Sequence, residues 1–161
     1  MNKISVIIIT KNEEENISDC LKTVEWADEI IVVDSGSTDN TIELTKKFTD
    51  KIFIRKWEGY VPQKNYALSL ASNEWVLSLD ADERVTNELK NEILNHSTGN
   101  YSGFKIRRKN FLLKKEITSC GWEKDYQLRL MKKEKANLSE RLVHEKFIVE
   151  GQTGTLENPS V

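Results

Sequence analysis

Two cysteines, two prolines and seven glycines among 161 residues leave little room for several kinds of protein. Cys20 and Cys120 lie far apart, with neither a metal-ligand spacing nor a disulfide framework, which fits a reducing compartment. So little proline and glycine argues against a long linker or a disordered stretch, and no repeat or low-complexity segment is present. The apolar run Ile4–Ile9 is too short to cross a membrane or to serve as a signal-peptide core with flanks. A net charge of −2 gives no electrostatic reason to expect a nucleic-acid partner. The glycine-rich dinucleotide fingerprint, the Walker-type phosphate loop and the Gly-x-Ser-x-Gly elbow are all missing, which argues against an oxidoreductase domain, a P-loop enzyme and an α/β-hydrolase. The chain is expected to be cytoplasmic, with any membrane contact peripheral.

What is present is ordinary for a soluble domain with a real core: 38% hydrophobic and 31% charged residues. Ile4–Thr10 is nearly all β-branched, as in a strand buried on both faces. Glu13–Val24 places Ile17, Cys20, Leu21 and Val24 on one helical face. Ile30–Asp34 reads as a second strand, followed by the turn Ser35-Gly36-Ser37-Thr38 and a helix with Ile42, Leu44, Thr45 and Phe48. Lys51–Arg55 is a third strand. Pro62 suits the first turn of a helix with Tyr66, Leu68 and Leu70. Trp75–Leu79 is a fourth strand, and Thr86–Leu94 a further helix. This alternation predicts an α/β fold with a mostly parallel, doubly wound sheet. Gly103–Arg108, Tyr126–Met131 and Val143–Val149 are strand-like with less helix between, so a mixed or antiparallel extension of the same sheet is expected, within a single domain spanning 1–161.

In open α/β sheets ligands bind beyond the carboxyl ends of the strands. Three such ends are polar here: Thr10-Lys11-Asn12-Glu13, Asp34-Ser35-Gly36-Ser37-Thr38-Asp39 and Asp80-Ala81-Asp82-Glu83. Asp80 and Asp82 cannot both stay ionised at close range without a counter-charge. Mg²⁺ or Mn²⁺, which binds one or two carboxylates together with phosphate oxygens and water, would supply it. Asp34 either accepts hydrogen bonds from a base or ribose or caps the next segment, although Ser37, Thr38 and Asp39 suit capping better. Gly36 permits a tight turn and close ligand approach. Lys64 either meets a diphosphate or carboxylate or is a surface lysine. His96 reads as solvated, and His144 beside Glu145 as structural. The acid-free basic run from Lys105 to Lys115 (Lys105, Arg107, Arg108, Lys109, Lys114, Lys115) is either a solvated face or a patch for phosphate or an anionic membrane.

The segments Ile4–Glu13, Val33–Asp39, Gln63-Lys64-Asn65-Tyr66-Ala67 and Leu79–Glu83 resemble glycosyltransferase family 2, inverting enzymes with a GT-A fold. Gly121–Leu130 and Val143-His144-Glu145 resemble the bacterial lipopolysaccharide core β-1,4-glucosyltransferase-like branch. The resemblance implies a UDP-sugar donor and a lipid-linked or lipopolysaccharide glycan acceptor. It places Thr10, Asn12, Glu13, Asp34, Asp39, Lys64, Asp80 and His144 around the nucleotide-sugar, and Asp82 on the metal. Asp125 is implied as the general base, with Glu123 as the fallback, and His144 and Glu145 as secondary candidates near the diphosphate or acceptor. Such relatives continue further, with helices that shape the acceptor site and often touch the membrane. The chain therefore reads as a donor half, 1–95, and a partial acceptor half, 96–161. The alternative is a truncated module that holds the nucleotide-sugar but transfers poorly.

Overall fold

A computed structural model describes residues 3–95, 99–109, 111–112, 115–116, 125–139 and 146–161. The first half alternates β1 (Ile4–Thr10), α1 (Ile17–Lys22), β2 (Glu29–Asp34), α2 (Thr41–Thr45), β3 (Ile52–Ile54), α3 (Tyr60–Leu70), β4 (Trp75–Asp80) and α4 (Asn87–Asn95). The second is almost all strand: β5 (Tyr101–Arg108), the short pair β6 (Phe111–Leu112) and β7 (Lys115–Glu116), β8 (Tyr126–Lys132), β9 (Ala136–Ser139), β10 (Lys146–Val149) and β11 (Gln152–Ser160).

Seven of these strands form one sheet in the order β11-β5-β8-β4-β1-β2-β3. β3, β2, β1 and β4 are mutually parallel, as the alternating pattern predicts. β8 then runs antiparallel to both β4 and β5, and β11 returns parallel to β5, so the sheet is mixed on that side. Of the expected extension, β5 and β8 are built into the same sheet, with β8 inserted between β4 and β5, whereas Lys146–Val149, the described part of the segment expected over 143–149, pairs with β9 in a separate two-stranded sheet.

The central strands are apolar throughout because both faces are covered. Val6 and Ile8 of β1, Val32 of β2 and Leu77 of β4 face α1 and α4, where Ile17, Leu21, Leu89 and Ile93 meet them. Ile7, Ile31, Val33 and Val76 face the other way, onto Ala67 and Leu68 of α3 and the β9–β10 hairpin. Cys20 is fully buried in the first layer, and burial pushes its thiol up to about 12, so it is packing and not a reactive group.

Two sequence expectations change in detail. The helix expected over 13–24 is regular only from Ile17 to Lys22, because Glu13–Asn16 forms a turn whose backbone carbonyl at Glu13 accepts the N–H groups of Asn16 and Ile17. β11 goes undetected in the sequence because only Leu156 and Ser160 are buried along it. It is an edge strand, where Pro159 removes no needed donor, and its pairing shifts register between Leu156 and Ser160.

Candidate active site

The register of β1 brings the three polar strand ends together. Thr10 pairs across to Asp34 on one side, and Ile9 to Asp80 on the other. With about 4.8 Å between neighbouring strands, Asp34 and Asp80 sit on the same rim about 10 Å apart. A cavity of about 570 Å³ opens at this edge, lined in part by Thr10, Lys11, Glu13, Ser35, Trp57, Tyr60, Lys64, Asp80 and Asp82.

The expected site residues divide into two groups. Thr10, Glu13, Lys64, Asp80 and Asp82 line the cavity. The Thr10 hydroxyl is buried and has no hydrogen-bond partner among the described residues, so a ligand atom is a natural partner for it. Asn12, Asp34 and Asp39 instead hold the loops that form the rim. Asp34 is fully buried: one carboxylate oxygen accepts the N–H groups of Gly36 (2.8 Å) and Ser37 (2.7 Å), and the other accepts the Ser37 hydroxyl. This tight turn is where Gly36 takes φ +87°. Asn12 accepts the Thr38 N–H at 2.8 Å, while its own N–H donates to the Ser37 hydroxyl oxygen. Asp39 accepts the N–H and hydroxyl of Thr41 and the N–H of Glu14, tying the start of α2 to the loop after β1. The β1 and β2 loops are thereby joined into one wall.

Asp80 is the electrostatic centre. Lys64 Nζ lies 2.9 Å from one carboxylate oxygen, and Arg129 Nη2 lies 2.8 Å from the other. Arg129 also pairs with Glu83, whose second oxygen accepts the Asp80 backbone N–H at 2.9 Å. Burial alone would push the Asp80 carboxyl up, but the Arg129 and Lys64 charges outweigh it and hold it well below the usual carboxylate range. Arg129 is buried too, and Glu83 and Asp80 more than offset the cost of burying its charge, so it stays protonated. The counter-charge that two nearby aspartates require is therefore supplied at Asp80 by the protein's own cations, a solution the sequence reading did not consider.

This arrangement decides how a divalent cation would fit. Both Asp80 oxygens are engaged, whereas Asp82 is exposed on the cavity wall and pairs with no described residue. Among the described residues no three His, Cys, Asp or Glu side chains gather to hold a metal. Asp82 thus suits a Mg²⁺ or Mn²⁺ ion that takes one protein carboxylate and completes its shell with phosphate oxygens and water.

Asp125 does not line the cavity. It starts β8, where Arg108 donates to one of its oxygens from Nε (2.9 Å) and Nη2 (2.6 Å), and Gln127 donates to the other at 2.7 Å. Arg108 Nη1 lies 3.7 Å from Glu83, so Asp125 connects through Arg108, Glu83 and Arg129 to Asp80. Within the basic run, Arg108 is drawn inward by these carboxylates, while Lys105 is exposed. Glu123, His144, Glu145, His96, Lys114 and Cys120 lie outside the described residues.

Sequence reasoning missed Arg129, Glu83 and Arg108, and the exposed aromatics Trp57 (39% exposed) and Tyr60 (51%), which meet edge-to-face at 4.8 Å beside the cavity. A charged residue between Leu128 and Leu130 in a strand was a usable signal for Arg129. The aromatics lie at and just before the start of α3, where no periodicity marks them.

The match to known proteins follows this geometry. The model of the family described as Glycosyl transferase family 2 matches residues 5–146. The chain belongs to this family. It is 32% identical to the lipopolysaccharide core biosynthesis glycosyltransferase LpsC of Rhizobium meliloti, over 98% of this chain and 62% of LpsC. An uncharacterized glycosyltransferase of Rickettsia typhi is 43% identical over 66% of this chain and 38% of its own length. The chain thus spans less than two thirds of each of these relatives. Among solved structures, S. aureus TarS 1–349 in complex with UDP-GlcNAc superimposes with a TM-score of 0.58 at 26% identity, over 73% of this chain and 37% of TarS. Glucosyl-3-phosphoglycerate synthase of Mycobacterium tuberculosis, in complex with Mg²⁺ and UDP, shares the fold at a TM-score of 0.53 and 22% identity, over 65% of this chain and 43% of its own. The family 2 sheet, with its mixed side, is therefore the GT-A arrangement. No helix among the described residues is long and apolar enough to cross a membrane.

Proposed function

We propose that this family 2 chain forms the donor-binding and catalytic part of an inverting, metal-dependent glycosyltransferase that moves a sugar from a UDP-sugar to a lipopolysaccharide core or other lipid-linked surface glycan, working in the cytoplasm, peripheral to the inner membrane. The observation that carries this reading is the cavity at the carboxyl edge, lined by Thr10, whose hydroxyl lacks a partner among the described residues, by the paired Lys64 and Asp80, and by Asp82, which pairs with no described residue. TarS in complex with UDP-GlcNAc and LpsC's role in lipopolysaccharide core biosynthesis support the donor and acceptor classes.

In this reading Thr10 and Glu13 contact the nucleoside, and Asn12, Asp34 and Asp39 keep that wall in shape. Lys64, released in part from Asp80, adds positive charge beside the diphosphate, and Asp80 orients it. A Mg²⁺ or Mn²⁺ ion held by Asp82 would neutralise charge on the departing nucleoside diphosphate. Asp125 takes the proton of the acceptor hydroxyl as that oxygen attacks the anomeric carbon from the face opposite the leaving group. One displacement needs one base and no enzyme nucleophile, so the anomeric centre inverts. Glu123 is the fallback base, and His144 and Glu145 are assigned near the diphosphate or acceptor. The whole of 1–161 is taken as one domain, 1–95 serving the donor and 96–161 part of the acceptor side.

The test is calorimetric titration of UDP with and without Mn²⁺. Asp82→Ala is expected to abolish the Mn²⁺-dependent gain in affinity, and a retained gain removes the metal assignment. The second reading, a module that holds the nucleotide-sugar without transferring it, draws on the cavity's lining, which among the described residues comes from 9–82. UDP release from a UDP-sugar separates the two: stimulation by a deacylated lipopolysaccharide core favours the transferase, and release indifferent to acceptor favours the module.

A further inference from the structure

From Lys64 to Asp125 the site is crossed by a row of charges that alternate in sign without a gap: Lys64, Asp80, Arg129, Glu83, Arg108, Asp125. Its middle members have no place in the donor site as described above. Arg129 is buried against Asp80 and Glu83, and Arg108, at the end of β5, donates from Nε and Nη2 to one Asp125 oxygen while its Nη1 faces Glu83 at 3.7 Å. A planar guanidinium that meets two carboxylates fixes the direction of each, which a lysine ammonium does not. Gln127 occupies the remaining Asp125 oxygen at 2.7 Å, so the carboxylate is held from two strands.

We propose that Arg108 is a positioning residue for Asp125, and that Glu83 and Arg129 anchor Arg108 to the Asp80 end of the cavity. The inference rests on the reading of Asp125 as base. Among the described residues, the charged groups facing Asp125 include Arg108 on β5 and, beyond it, Glu83 at the β4–α4 turn and Arg129 on β8. A guanidinium at this range favours the ionised carboxylate. Arg108 therefore keeps the base deprotonated and aimed, at some loss of basicity, and it does so without touching the donor.

The test follows the Asp125 carboxyl carbon by NMR through a pH titration of the whole chain, with Asp125→Asn assigning the signal. In Arg108→Met the midpoint is expected to rise by about one to three pH units, the range typical of an aspartate that loses an arginine neighbour. Arg108→Lys should fall between Arg108→Met and the parent, which guards against a variant that merely fails to fold. UDP affinity in the presence of Mn²⁺ should stay within twofold of the parent in both variants. An Asp125 midpoint unchanged in Arg108→Met and Arg108→Lys overturns the proposal. So does loss of UDP binding in Arg108→Lys, which would make Arg108 a support of the donor site. Acceptor-stimulated UDP release retained by Asp125→Asn would instead remove the base assignment, an outcome distinct from either result at Arg108.

Discussion

The two ends of the sheet carry the same chemical ingredients and use them differently. At the carboxyl edge Asp80 is held by Lys64 and Arg129; at the amino edge Glu29 is held by Lys51, by the hydroxyls of Ser5 and Ser72 and by the Ser72 N–H. The amino edge even has the larger hollow, about 690 Å³ against about 570 Å³. What separates them is completion. Around Glu29 hydroxyl, amide and ammonium donors close on both carboxylate oxygens, and Lys51 opens to solvent. Around Asp80 the cluster stays open: Thr10 lacks a partner among the described residues, and Asp82 faces the cavity unpaired. Buried charge marks a binding site where its neighbourhood is left unfinished, and a structural cluster where it is not.

The largest effect expected from this contrast is at Arg129. Its side chain is 6% exposed, and replacement by methionine strands Asp80 and Glu83 side by side. Breaking a buried ion pair from one side costs about 3–5 kcal/mol, and Arg129→Met should lose that much in urea unfolding. Lys64 binds the same Asp80 from the cavity wall. Lys64→Met should cost less stability than Arg129→Met, because Arg129 still holds Asp80, yet weaken UDP binding at least tenfold. If both variants lose stability alike, Asp80 is structural and the two ends of the sheet are equivalent.

These roles were unequally legible in the sequence. The parallel strands announce themselves, because burial on two faces demands unbroken apolar runs such as Ile7-Ile8-Ile9 and Ile31-Val32-Val33. The loops at their ends are polar, so Thr10, Lys64 and Asp80–Asp82 stand out as candidates. Asp34 stood out for the same reason, yet its buried carboxylate holds its own turn, and nothing in residue order separates a turn-holding aspartate from one that meets a ligand. On the mixed side the functional charges lie within strands. Arg129 and Arg108 become interpretable only when β8 inserts between β4 and β5, a pairing of residues far apart in the chain.

Glu29 offers the next largest effect and a pH signature. Burial alone would raise its carboxyl, but Lys51, Ser5 and Ser72 bring it down from 4.5 to about 2. A depressed carboxylate contributes stability above its unfolded value and loses it as pH falls toward the folded one. The contribution should therefore be complete above about pH 4.5 and fade between there and about pH 2. Glu29→Gln should cost about 1–3 kcal/mol at neutral pH, the scale of hydrogen bonds to a charged group. Its stability should also vary less than the parent's across that acid window. UDP affinity should not move, because Glu29 sits at the end of the sheet opposite the cavity. A loss of UDP affinity in Glu29→Gln would mean that the two edges communicate and that the closed cluster is more than structural.

The smallest effect sets the floor against which the others are read. Lys22 and Asp19 form an ion pair at 3.0 Å on α1, but their side chains are 62% and 63% exposed. Water solvates both groups whether or not they meet, and holding two long side chains in one geometry costs entropy. Such exposed pairs contribute little, so Lys22→Ala should leave urea unfolding nearly where it is in the parent. Salt near 1 M, where the screening length falls to about 3 Å, should weaken what difference remains, whereas the Arg129→Met deficit should persist at high salt. A Lys22→Ala loss comparable to that of Arg129→Met would show that charge pairing as such, and not its burial, sets the energetics of this fold.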